Sequence, residues 1–139
     1  INELANSLIS TSDEYDQTVS HISAVFIALI VAGAVSRAAM AALWYVLPAA
    51  RADGLAVSAG VVPFQSAAIG AILAAAIAFL LLPVTGWAVL LAVVAALTAA
   101  MGILAKQQIG GHSGDVLGAT QQLAEVVALL AIAATTVAI

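Results

Sequence analysis

From Gly54 to Ala105 the chain carries no Asp, Glu, Lys or Arg. A helix needs about 20 apolar residues to cross the hydrocarbon of a bilayer, so this stretch alone holds two spans. Similar apolar runs flank it, and the pattern predicts spans at 21–47, 61–82, 87–104 and 116–139. The runs are continuous, whereas barrel strands alternate over about ten residues, so the spans are expected to be helices. The fold class expected is all-α, a polytopic transmembrane helical bundle of about four spanning helices behind a polar leader, residues 1–20.

The interruptions carry the detail. In the leader, Thr11-Ser12-Asp13-Glu14 fits a capping box and places a helix start there. His21 reads as an interfacial residue at the edge of the first span. Inside that span stands Arg37, and a charge at such depth normally faces protein or a watery cavity. The interface beyond Pro48 is roughly 15 Å away, too far for an easy snorkel, so Arg37 is expected to have a structural or ligand partner. Trp44 and Tyr45 sit where an aromatic belt would anchor the helix end, and Pro48 stops it. The loop that follows holds Arg51 and Asp53, either ordinary solvated charges or contacts to a phosphate and a metal. Pro63 suits the first turn of the second span. The tight turn Pro83-Val84-Thr85-Gly86 implies that spans two and three pack side by side, with Gly70 and Gly102 allowing close approach.

Composition agrees: 65% of the 139 residues are hydrophobic and 7% charged, and the mean hydropathy is +1.21. Cysteine is absent, which removes disulfides, thiolate metal sites and cysteine nucleophiles. The net charge of −4 says little, because Asp13, Glu14 and Asp16 cluster in the leader. The three basic residues, Arg37, Arg51 and Lys106, favour one membrane face, which the positive-inside rule assigns to the cytoplasm. The chain opens at Ile1 with no basic segment or small-residue cleavage site of a secretory signal, and reads as a processed or truncated product.

Polar chemistry concentrates between Gly110 and Glu125. Gly110, Gly111 and Gly114 free the backbone, Asp115 stands where a helix N-cap is expected, and Gly118, Gln121, Gln122 and Glu125 share one narrow arc of a helix. A glycine turn feeding a helix N-terminus presents N–H groups to an anion, and Asp115 could hold Mg²⁺ shared with substrate phosphates. The plainer alternative is a turn, a cap and a packing face made by Gly114 and Gly118. A nucleophilic triad, a Walker-type lysine and a nucleic-acid-binding pattern are all missing.

Gly-Gly-His-Ser-Gly-Asp-Val-Leu-Gly-Ala, residues 110–119, with Glu125 on the helix that follows, resembles the C-terminal signature of the cobalamin synthase family, adenosylcobinamide-GDP ribazoletransferase. Ser113 replaces the usual Thr and keeps its hydroxyl; Ser36-Arg37 and Arg51 through Leu55 are similar in order and spacing. The likeness covers roughly residues 30–139. It implies an inner-membrane enzyme that joins adenosylcobinamide-GDP to α-ribazole or its 5′-phosphate, releases GMP and requires Mg²⁺. On matching positions, Gly110, Gly111, His112, Ser113, Gly114, Gly118, Arg51 and Glu125 would bind substrate or phosphate. Asp115 would be a metal ligand or orienting carboxylate, and Arg37 would neutralise phosphate or hold Asp115. The family's acidic Asp-Gly-x-Ala-Asp-x-x-Asp-Gly motif has no counterpart here, and residues 1–24 do not resemble the family, so the chain looks like a C-terminal half with a foreign or diverged leader. As such it is not expected to complete the reaction alone. Besides membrane lipid, its candidate partners are a second copy and the missing half. Two other classes stay open: a CDP-alcohol type phosphotransferase, whose Asp-Gly-x-x-Ala-Arg series is lacking, and a non-catalytic membrane module.

Overall fold

A computed structural model describes residues 2–50 and 60–137. Among them the chain forms four α-helices and no strands: α1 (Asn2–Val46), α2 (Phe64–Leu81), α3 (Val84–Ile109) and α4 (Gly114–Val137). All four are long and apolar enough to cross a membrane, and this is the bundle expected from the hydropathy pattern. Arg51 and Asp53 lie outside the described residues.

Proline and glycine set the helix limits. Pro63 and Pro83 stand at the N-caps of α2 and α3 with extended backbone, and their carbonyls accept the first helical bonds, from Ala67 and Trp87. Gly110 ends α3 in the left-handed conformation, φ 76°, where a side chain is disfavoured.

Helix α1 departs from expectation. At 45 residues it is about 68 Å long, roughly twice the hydrocarbon thickness. It runs through Thr11–Glu14 without a break, so that segment lies in mid-helix and does not start one. Residues 11–26 are exposed, and burial begins at Ile27. The leader is thus a helical extension of the first span, with the Thr18 hydroxyl donating to the Glu14 carbonyl one turn back.

The core is built largely from small residues. Val31, Ala32, Val35 and Ala39 of α1 meet Ala74 and Ala78 of α2, Leu90 and Val94 of α3, and Ala124, Ala128, Ala131 and Ile132 of α4. Lipid is as apolar as these side chains, so close packing rather than escape from water holds the helices together. Buried hydroxyls are satisfied within their own helices: Ser36 donates to the Gly33 carbonyl and Thr120 to that of Val116. Such local bonding is what a hydroxyl needs where no water is present.

The order around the bundle is α2, α1, α4, α3, with α1 against both α2 and α4, and α3 against α4. Spans two and three, expected side by side, touch little. The extended backbone at Leu82 and Pro83 sets their axes apart. Trp87 of α3 joins them near the turn, donating its indole N–H to the Ala75 carbonyl at 3.0 Å and stacking edge-on against Phe79. Neither glycine brings spans two and three together as expected: Gly102 faces the Leu43 side chain of α1, and a Cβ on Gly70 would meet nothing within 4 Å. At the turn end of the bundle, Gly86 of α3 abuts Thr135 of α4.

Candidate functional site

The α3–α4 turn and the chain leaving α1 are bound together. The His112 N–H donates to the Pro48 carbonyl at 2.8 Å, and the His112 carbonyl accepts the Ala50 N–H at 2.9 Å, making an isolated parallel bridge between Ala49 and His112. Gly111 makes this possible: a Cβ there would collide with the Pro48 carbonyl oxygen and sit 3.0 Å from the Ala50 nitrogen. Ala50 is thereby held beside His112 at the edge of the glycine-rich turn.

Next along the chain, Ser113 caps α4. Its hydroxyl accepts the Val116 N–H at 3.3 Å, and its carbonyl accepts the first helical bond, from Leu117. The cap expected at Asp115 is therefore two residues earlier. A cap must precede the first helical residue, which is Gly114, whereas Asp115 lies in the first turn, exposed, with its charge favourably placed on the helix dipole. The N–H groups of Gly114 and Asp115, in the first turn of α4, have no intrahelical acceptor and stand as donors at the positive end of the helix.

The glycines divide into two kinds. Gly111 is buried under the α1 exit, whereas a Cβ on Gly110, Gly114 or Gly118 would meet nothing within 4 Å. The packing face considered for Gly114 and Gly118 therefore has no neighbour among the described residues, and that side of the turn is open.

His112 takes a place beneath the turn. Its side chain is 4% exposed and rests against Trp44, ring centres 6.1 Å apart. Trp44 Nε1 and His112 Nδ1 are both buried without a hydrogen-bond partner, the only such side-chain atoms among the described residues. Burial pushes the imidazole pKa below its ordinary value of 6.5, because the charged form loses solvation. Trp44 thus turns into the bundle, and only Tyr45, exposed and tilted against Phe64 with ring centres 5.5 Å apart, suits an aromatic belt.

The remaining residues lie deeper. Arg37 is eleven residues before Pro48, about 16 Å down α1. It is exposed, and its guanidinium turns further from the turn to donate to the Gly33 carbonyl at 2.8 Å. Glu125 is half-buried on α4 at a similar depth, with Gln121 half-buried and Gln122 exposed. Arg37 and Glu125 are not brought to the turn. Lys106, in the last turn of α3, stands at the same end of the bundle as His112 and Asp115. Sequence reasoning passed over Pro48 and Ala50, whose backbone groups complete the bridge; a glycine pressed against another segment leaves no mark in the residue string to name its neighbour.

The family model for cobalamin-5-phosphate synthase (CobS) matches residues 8–133. Curated relatives include the adenosylcobinamide-GDP ribazoletransferase of Mesorhizobium japonicum, 41% identical over 127 residues, with 91% of this chain and 48% of the relative covered. Those of Sinorhizobium medicae and Brucella ovis are 43% identical over 112 residues and 38% over 108, with 77% and 75% of this chain and 43% and 42% of the relatives covered. The chain spans about half the length of the curated relatives it matches. No solved structure matches it. The match reaches back to residue 8, which corrects the expectation of a foreign leader: most of the polar extension of α1 is part of the family pattern. Matched along nearly all of its length and built as a bundle of membrane-length helices around the glycine-rich turn, the chain belongs to the cobalamin-5-phosphate synthase family.

Proposed function

We propose that this chain forms the C-terminal membrane half of an adenosylcobinamide-GDP ribazoletransferase, which joins adenosylcobinamide-GDP to α-ribazole or its 5′-phosphate and releases GMP. The observation that carries the reading is the bridge between His112 and the Pro48–Ala50 segment. It holds two loops together at one end of the bundle, beside a helix N-terminus whose first N–H groups have no intrahelical acceptor and an open glycine surface. Those donors and the α4 dipole suit a phosphate of the GDP-activated substrate. Their placement before the chemistry begins is the kind of preorganisation that stabilises charge on a transferring phosphoryl group.

Mg²⁺ fits this end only in part. No group of three His, Cys, Asp or Glu side chains gathers among the described residues, so Asp115 would supply a single carboxylate, with phosphates and water completing the shell. Bound there, the ion would neutralise and orient phosphate oxygens. Arg37 and Glu125, about 16 Å deeper, would act on parts of the site that reach into the bundle. The positive-inside rule, applied to the three basic residues, supports a cytoplasmic side for the turn in an inner membrane.

The test is binding of adenosylcobinamide-GDP to the chain in nanodiscs, with and without Mg²⁺, beside Asp115→Asn and a turnover assay on the same samples. Binding that needs both the metal and Asp115, without turnover, is expected. Metal-independent binding that Asp115→Asn leaves unchanged would refute the phosphate site, and turnover by this chain alone would refute the need for the acidic motif.

A further inference from the structure

Because α2 and α3 diverge from their turn, they leave an apolar groove over α1 with a cavity of about 590 Å³. Its floor is α1 from Val35 to Val46 with Leu47 and Pro48 just beyond it, and its walls are small residues, among them Ala75 of α2 and Ala95 and Ala99 of α3. Thr98 lines it too, but its hydroxyl is already donated to the Val94 carbonyl. Among the described residues, the one charged side chain in the lining is Lys106, at the loop end beside Pro48. A groove at this depth opens to lipid and gains dispersion contacts from whatever fills it.

We propose that this groove binds an anionic phospholipid, with one acyl chain between α2 and α3 and the phosphate beside Lys106. Two observations choose this occupant. The first is shape: the groove runs roughly 20 Å from Val35 to Pro48 between walls of small side chains and holds a cavity of about 590 Å³, the form of a slender acyl chain. The second is charge: the lining is apolar along its length and cationic at the end where a lipid headgroup would stand, a pattern that recruits anionic headgroups between transmembrane helices. The proposal rests on the groove and is independent of the reaction proposed above.

Native mass spectrometry tests it, with the chain released from nanodiscs that hold phosphatidylglycerol and phosphatidylcholine of identical acyl chains in equal amounts. The wild-type chain is expected to retain phosphatidylglycerol about fivefold over phosphatidylcholine, the weight one basic residue carries near an anionic headgroup. Lys106→Gln abolishes that preference while lipid is still retained. Ala95→Leu, which fills the groove, lowers retention of both lipids at unchanged helix content. Equal retention by the wild-type chain, a preference that survives Lys106→Gln, or undiminished retention by Ala95→Leu would overturn the proposal. So would a lipid-free dimer, which would mean that a second copy occupies the groove. Lys106 is exposed in the last turn of α3, so its substitution tests the headgroup contact without disturbing the core.

Discussion

Gly111→Ala isolates the bridge from every other property of the glycine-rich turn. The added methyl would collide with the Pro48 carbonyl oxygen and press on the Ala50 nitrogen at 3.0 Å. Both of these groups also belong to the bridge. Relieving the overlap means separating the two segments and losing the two backbone bonds of 2.8 and 2.9 Å. At a net value near 1 kcal/mol each, with desolvated groups left unpaired, the cost is about 2–4 kcal/mol. Gly111 does not have a positive φ, so the whole effect is steric. Hydrogen exchange of the Ala50 and His112 amides in nanodiscs reads it directly. Both amides are expected to lose protection by roughly 30- to 1,000-fold, the same energy at about 1.4 kcal/mol per decade. Two neighbours serve as controls. Gly110→Ala meets no atom but must hold φ 76°, at about 1–2 kcal/mol. Gly114→Ala meets nothing within 4 Å and leaves both amides protected. If Gly111→Ala exchanged no faster than Gly114→Ala, the close approach of the two segments would not exist in the membrane.

Three further outcomes follow from the same end of the bundle and from the α2–α3 turn. Ser113→Ala removes the α4 cap at about 0.5–1 kcal/mol and speeds exchange of the Val116 amide severalfold, whereas Asp115→Asn leaves that amide protected; equal effects would return the cap to Asp115. Neutral His112 stabilises the fold fully above its ordinary value of 6.5, and this contribution is lost as pH falls below 6.5 and through the lowered folded value. The unfolding midpoint in denaturing detergent should therefore drop in acid for the wild-type chain and stay flatter for His112→Phe, and identical profiles would refute the buried seat. Trp87→Phe deletes the 3.0 Å bond to the Ala75 carbonyl and should cost about 0.5–1.5 kcal/mol, read as a lower melting temperature; no change would mean that the turn is held without it.

Legibility followed the range of the forces involved. The spans were plain because the bilayer imposes length and apolarity on every residue of a helix, as Gly54 to Ala105 shows. Local polar patterns were ambiguous. Thr11-Ser12-Asp13-Glu14 has the side chains of a capping box, but a continuous helix satisfies the same backbone donors internally, so the box is not used. Within Ser113-Gly114-Asp115 either oxygen-bearing residue can cap, and the choice falls to whichever residue ends the extended bridge. The partners of α2 and α3 could not be read from their short turn, since apolar helices in lipid take whichever small-residue surface fits. Arg37 was recognisable as anomalous, but its bond to Gly33 depends on a rotamer.

The contact between α1 and α4 has a consequence for how the molecule comes into being. They are the first and last helices of the chain, they share the most extensive interface in the bundle, and the bridge joins the residues where one ends and the other is about to begin. Everything from Ala50 to Gly111 is an excursion that leaves this joint and returns to it. During synthesis, the part of the α1 core face that α4 covers lacks that partner until α4 is made, and α2 covers only another part of it. The joint cannot close until His112 and the helix behind it have left the ribosome. A nascent chain halted after α3 therefore holds α1, α2 and α3 without the helix that closes the joint, and the loss of α4 should be felt through the whole bundle rather than at its end.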